Sequence, residues 1–314
     1  MKKIFVISIL SMMLLMTDTS SAYSQKATVA NAAIQTADKS KDTTLACYRQ
    51  FEALKGEVIK KLQKTTPKKA NQLYLSYLKE NRKIIDCINR EDSWYTDNFY
   101  SLNEISSKVM TAKESDMDRY GLYFWELGEG DVEIRTQPYF YYNIFAKYVT
   151  ADFYDYLKIS REEDAVLYEA DAGLSISFED LGERIVVWEG FLRKHPNTAL
   201  LKNVLERYFT YQIDYLLGMD NTPTAEYDEE SEEYIFTPET LAEFTRFLRK
   251  YPDSPTTELI EFFMKNFDGK AFAKEESIYN VKYAENEAEA VVRLVSEKVE
   301  KTSVKKFRRI YRGK

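Results

Sequence analysis

The chain has 314 residues, one histidine, two cysteines and a formal net charge of -7. That acidic balance argues against nucleic acid as the main partner, and the lone histidine leaves a Ser-His-Asp triad, a Cys-His nucleophile or a His-based zinc site short of parts. Glycine and proline number only 10 and 7, against 24 tyrosines and 18 phenylalanines; this excludes a turn-rich all-β chain and favours long helices packed through aromatic side chains.

The N-terminus carries Lys2 and Lys3, an apolar run over 4–16, and the small residues Ser20, Ser21 and Ala22. This reads as a secretory signal peptide, 1–22, cleaved after Ala22. The alternative, an uncleaved anchor, needs about 20 apolar residues, which the run lacks. An exported mature chain, periplasmic or secreted and without an integral membrane span, is expected. Residues 23–43 are rich in Ala, Thr, Ser, Lys and Asp without clear periodicity, and read as a flexible leader.

Residues 44–118 are expected to form a disulfide-stapled helical hairpin region. Leu45, Phe51, Leu54, Val58 and Leu62 follow helical spacing, as do Leu75, Leu78, Ile85 and Ile88 beyond a break at 64–67. Cys47 and Cys87 are equidistant from Pro67. In an antiparallel hairpin such positions lie side by side, so a Cys47–Cys87 bridge is predicted, worth ~4 kcal/mol by loop-closure entropy. Two free buried thiols are the alternative. A small exported hairpin closed by two cysteines resembles the lysozyme-inhibitor-type domain of bacterial envelope proteins over 47–87. Its customary tryptophan and Arg-Asp pair are replaced by Asn81-Arg82-Lys83-Ile84-Ile85-Asp86. A further helical segment is expected over 91–118.

A helical-repeat region is expected over 119–284, interrupted near 121–136 by one short β-hairpin. Tyr123-Phe124-Trp125 leads into Leu127-Gly128-Glu129-Gly130-Asp131, and Val132 to Thr136 alternates. Trp125, Glu126, Glu129, Arg135 and Tyr139 form a candidate recognition surface. Glu126, Glu129, Asp131 and Glu133 beside aromatic residues also have the composition of a carboxylate-dependent glycan-cleaving site; the plainer reading is a solvated hairpin with charged tips. A helix is expected over 138–159 with Pro138 in its first turn, and a short one over 161–172.

The next helix carries Ser177 as its cap and the stripe Leu181, Ile185, Trp188, Phe191 and Leu192, and stops at Pro196. Its partner runs from about Thr198 to Leu217, with Gly218 as terminator. The acidic run Asp228, Glu229, Glu230, Glu232 and Glu233 reads as a solvated loop. It lacks the spacing and glycine of an EF-hand, its calcium-binding alternative. Helices restart at Pro238 and after Pro252.

Phe191 to Thr198 spells FLRKHPNT, and Phe247 to Ser254 spells FLRKYPDS. At this offset Ile185 matches Leu241, Trp188 matches Phe244, and Val204 matches Ile260. Each copy is a helix, a proline-stopped turn and a second helix. Asn197 or Asp253 is expected to signal the second helix. His195 becomes Tyr251, so a role shared by both copies cannot need imidazole. The word resembles the helix-to-helix turn of tetratricopeptide-type repeats in bacterial envelope proteins, over 178–267. The period is longer than in that family, and its small packing positions are not evident. The resemblance implies a concave surface presented to an envelope or secreted protein.

Residues 285–314 read as a charged C-terminal helix, ending in Lys305, Lys306, Arg308, Arg309, Arg312 and Lys314. A solvated helix end or contact with an acidic partner are both open to it. No phosphate-cradling glycine loop, dinucleotide fingerprint or metal motif is present, so no cofactor is expected. The sequence thus points to a mostly α chain of antiparallel helical hairpins stacked as an irregular repeat. An exported, non-catalytic binding or scaffold role is favoured. A glycan-cleaving enzyme and an inhibitor of a lytic enzyme are the alternatives.

Overall fold

The computed structural model describes residues 44–267. The expected signal peptide, leader and C-terminal helix lie outside them. Among the described residues the chain is mostly α-helical, with short two-stranded antiparallel sheets. Contacts group it into two compact units. One comprises 44–60, Leu75–Phe124 and Val132–Arg135; the other comprises Lys61–Tyr74, Trp125–Asp131 and 136–267.

Helix α1 spans 44–62 and α2 spans Pro67–Glu91. Their turn falls at the expected break, with proline in the first helical position, where its missing N–H costs nothing. Cys47 and Cys87 are bridged, with Cα atoms 6.1 Å apart. Around the bridge, Phe51, Ile84 and Ile88 are buried. The expected segment over 91–118 is three helices, α3 (Ser93–Asp97), α4 (Phe99–Ile105) and α5 (Ser107–Tyr120). Asp92 sits buried at the first break. It accepts from the Tyr48 hydroxyl at 2.7 Å and is ion-paired with Lys113. A buried carboxylate held in this way ties α1, the α2–α3 junction and α5 together.

Strands β1 (Leu122–Gly128) and β2 (Asp131–Thr136) form the expected hairpin. A lone two-stranded hairpin is marginal in water. Here Asn89 of α2 holds β2 by both the nitrogen and the oxygen of its side-chain amide. Its Nδ2 donates to the Ile134 carbonyl at 2.9 Å, and its Oδ1 accepts from the Ile134 N–H at 2.7 Å.

In the second unit the expected helix over 138–159 is broken. Helix α6 spans Phe140–Phe145 and α7 spans Ala151–Glu163. Pro138 precedes α6 rather than joining it. The break is stabilised from α2: Asn71 accepts from the Thr150 N–H at 3.1 Å and donates to its hydroxyl at 2.6 Å. Thr150 is thereby held extended, with ψ 165°, and α7 restarts after it. Tyr74 fills the space between the two helices, its ring 5.3 Å from Phe145 and 5.9 Å from Phe153.

The short helix expected over 161–172 is absent. Its first residues end α7, and β3 (Glu169–Ala170) and β4 (Gly173–Leu174) close a hairpin. The turn residues Asp171 and Ala172 both have φ 51°. Two left-handed residues match the twist of a two-residue hairpin and are incompatible with helix.

Helix α8 (Phe178–Lys194) is capped as expected: Ser177 Oγ accepts from the Asp180 N–H. Leu181, Ile185, Trp188, Phe191 and Leu192 are all buried. Helix α9 (Leu201–Leu217) ends at Gly218, whose φ is 74°. A Cβ there would lie 2.5 Å from the Thr222 carbonyl oxygen and 2.6 Å from the Thr224 nitrogen, so only glycine fits. The stretch after it is not a loop. It holds hairpins β5 (Gly218–Met219) with β6 (Thr222–Pro223), and β7 (Ala225–Asp228) with β8 (Glu233–Phe236). The acidic run forms the β7–β8 turn, where Asp228 accepts from the Ser231 N–H and hydroxyl.

Helices α10 (Pro238–Lys250) and α11 (Pro255–Asn266) complete the second hairpin. Helix α8 packs on α10 and α9 on α11, so the hairpins stack first helix on first and second on second. A small packing position does exist. A Cβ at Gly182 of α8 would approach Glu243 Oε1 to 2.9 Å and the Phe247 and Tyr215 rings to 3.2 Å.

Candidate functional site

The repeated word acts as a clasp. In the first copy Thr198 Oγ1 accepts from the Leu200 N–H and donates to Asp152 Oδ2 at 2.8 Å. His195 Nε2 lies 2.7 Å from Asp155 Oδ2, and Lys194 reaches the same oxygen at 2.6 Å. Both aspartates belong to α7. In the second copy Ser254 Oγ accepts from the Thr256 N–H and donates to Glu189 Oε1 at 2.7 Å. Tyr251 donates to Glu183, and Lys250 pairs with it at 2.9 Å. Both glutamates belong to α8. Each word therefore grips two carboxylates of an earlier helix, α7 for the first and α8 for the second, through a basic residue, a ring donor and a hydroxyl. The hydroxyl residue, not Asn197 or Asp253, organises the second helix. Ser254 is the N-cap of α11, and α9 begins beyond Leu200.

Three buried glutamates lie on α7, α8 and α10. Glu163 of α7 accepts from Trp188 Nε1 at 2.9 Å, Arg207 Nη1 at 3.0 Å and the Tyr211 hydroxyl at 3.1 Å. Burial pushes its carboxyl above the ordinary range, against the pull of Arg207 and Arg184. Burial, with the charge of Glu163, also pushes the Tyr211 hydroxyl up to about 12, so it stays a donor. Glu189 of α8 receives the Tyr208, Ser254 and Thr256 hydroxyls on Oε1, and its Oε2 is buried without a donor. Burial raises its carboxyl as well. Glu243 of α10 takes the Tyr215 hydroxyl at 2.8 Å and a two-pronged Arg246.

Glu163 also lines an open groove of about 380 Å³ along α7 and α8. Ile159 and Ile176 supply apolar walls, and Val166 and Val187 are exposed along it. Glu162, Asp180 and Glu183 add negative charge against Arg184. The groove was not legible in the sequence. Glu189 and Glu243 carried a signal, since each falls on the apolar stripe of its helix beside Trp188 or Phe244. Glu163 carried none, because its partners come from α8 and α9.

The residues singled out near the first hairpin do not share one environment. Trp125 is half-buried and Glu126 exposed on β1. Arg135 pairs with Glu133 along β2. Tyr139 is exposed, 5.7 Å from the Arg161 guanidinium, which lies 4.1 Å from the Tyr142 ring. Glu129 has φ 51° in the turn and approaches Asp171. A hydrogen bond that the protonated Glu129 carboxyl donates to Asp171, with the Asp171 charge, raises the Glu129 carboxyl. Gly128 permits this approach. Its φ is 97°, and a Cβ there would lie 3.0 Å from that of Ala170.

Among the described residues no group of three or more His, Cys, Asp or Glu side chains is placed to hold a metal ion. No helix among them is long and apolar enough to cross a membrane. No protein family, curated protein or solved structure matches the chain.

Proposed function

We propose that this is an exported, non-catalytic binding or scaffold protein of the bacterial envelope, acting through protein contacts of its stacked helical hairpins. The observation that carries the reading is the use made of its buried carboxylates. Glu163, Glu189 and Glu243 are engaged by tyrosine, arginine, tryptophan or hydroxyl donors that join neighbouring helices. Carboxylates held this way rigidify a stack. The open groove along α7 and α8 then offers apolar walls and acidic rims to a partner segment. The Cys47–Cys87 bridge is compatible with export, and the signal peptide read over 1–22 supplies the route. The resemblance of the repeated word to tetratricopeptide-type turns supports the same reading.

A second reading is favoured by one observation, the Glu129–Asp171 approach. Two carboxyl groups that meet from two turns, one holding its proton more tightly, are the acid–base equipment of a carboxylate-dependent enzyme. The test is turnover of purified cell-wall glycan by the chain 23–314, beside its Glu126→Gln/Glu129→Gln variant. The binding reading expects no turnover from either protein, and the same envelope partners retained by both. Turnover by the wild type that the variant lacks would overturn it.

A further inference from the structure

The lining of the α7–α8 groove narrows what can lie in it. Asp180, Glu183, Arg184 and Val187 line it from one face of α8, and Ile159, Glu162 and Glu163 from one face of α7. Val166, just past α7, and Ile176, just before the α8 cap, add aliphatic surface. Four acids thus line it against one base. Two of the acids are answered from within the stack, Glu163 by Arg207, and Glu183 by Arg246 and Lys250. The base is engaged as well: Arg184 lies 3.5 Å from the Tyr211 hydroxyl and 5.9 Å from the Tyr168 ring. Glu162 and Asp180 differ, and both are exposed. Glu162 meets its chain neighbour Arg161 at 3.3 Å, and Asp180 accepts from a neutral hydroxyl, that of Ser177, at 2.7 Å.

Resting on the reading that this groove docks a partner, we propose that its occupant is a cationic, aliphatic segment of another protein. Its apolar side chains lie against Val166 and Val187, and its lysine or arginine side chains meet Glu162 and Asp180. Charge complementarity selects the sign. An acidic segment sets its own carboxylates against these two acids, and a neutral apolar one strips them of water without replacing it. Lysine and arginine suit both parts of the surface, because their stems cover apolar side chains while the charged head reaches past them. The volume of about 380 Å³ is at the low end for binding pockets, so the groove receives a few side chains and not a whole element.

The test measures, by fluorescence anisotropy, the binding of labelled short peptides to the protein. One peptide carries leucine and lysine in an alanine–glycine background. Two others are identical except that glutamine or glutamate replaces lysine. The lysine peptide is expected to bind, the glutamine peptide to bind more weakly and the glutamate peptide not at all. Val166→Ser/Val187→Ser leaves the net charge unchanged and should abolish binding of the lysine peptide. Glu162→Gln/Asp180→Asn should weaken it roughly fivefold, as two exposed ion pairs of ordinary strength would, and flatten its dependence on salt. Glu162→Gln alone, which leaves the α8 cap untouched, should weaken it about twofold. No binding of the lysine peptide overturns the proposal. So does binding that survives the serine variant, which is attraction to the acidic chain at large. Equal binding of all three peptides, lost in the serine variant, overturns the cationic occupant and leaves the groove reading standing. The groove reading fails separately, if capture of envelope proteins is unchanged by Val166→Glu/Val187→Glu.

Discussion

At the scale of single residues, charge placement sets the expected pH behaviour. Burial raises the Glu189 carboxyl, so the folded state holds that proton more tightly than the unfolded state does. Its contribution is complete below the ordinary glutamate range and is lost as pH rises through the raised value. Asp155 and Glu183 run the other way. Burial pushes each up, but His195 and Lys194 on Asp155, and Tyr251, Lys250 and Arg246 on Glu183, outweigh it and hold them low. Their contribution is present above the ordinary carboxylate range and is lost as pH falls through the lowered values. Glu189→Gln should therefore lose less stability than wild type as pH rises above the ordinary glutamate range, as read from urea midpoints. Identical slopes would mean that Glu189 is not the group responsible. Glu163→Ala should cost ~3 kcal/mol in the same assay, because it leaves Arg207 largely buried without its anion. His195→Tyr should change stability by less than ~1 kcal/mol, since Tyr251 fills the equivalent position in the second clasp.

At the scale of elements, the stack depends on close approach of α8 to α10. Gly182→Ala should cost ~1–3 kcal/mol by overpacking against Glu243, Phe247 and Tyr215. Gly190→Ala, in the same helix with open space around it, should instead stabilise by ~0.5–1 kcal/mol. A differential scan of the two variants separates packing from helix propensity, and equal shifts would contradict the close contact at Gly182. The elements best read from sequence were those with local signals: the α8 stripe behind Ser177, the Gly218 stop, and the α1–α2 break between equidistant cysteines. The misread ones depend on distant partners or on left-handed turns. The break at Thr150 is held by Asn71, 79 positions away. The β3–β4 turn uses Asp171 and Ala172, and Ala172 gives no composition signal for a positive φ. The groove was illegible for a similar reason, since its lining alternates between α7, α8 and the segments that join them.

At the scale of the whole molecule, the second unit reads as carboxylate-bearing helices in series, with α7 and α8 each clasped by the turn of the hairpin that follows. The first unit carries the covalent staple, and reducing Cys47–Cys87 should lower stability by ~4 kcal/mol on the loop-closure argument, as read by denaturation with and without reductant. The central claim is that the chain works by holding a partner segment in the α7–α8 groove. It is tested most directly by quantitative capture from envelope extract, comparing wild type with Val166→Glu/Val187→Glu. These side chains are 49% and 46% exposed, so the substitutions leave the buried core intact. The account predicts a defined partner held by wild type and by Glu126→Gln/Glu129→Gln, and lost from the groove variant at equal thermal stability. Equal capture by the groove variant would contradict it.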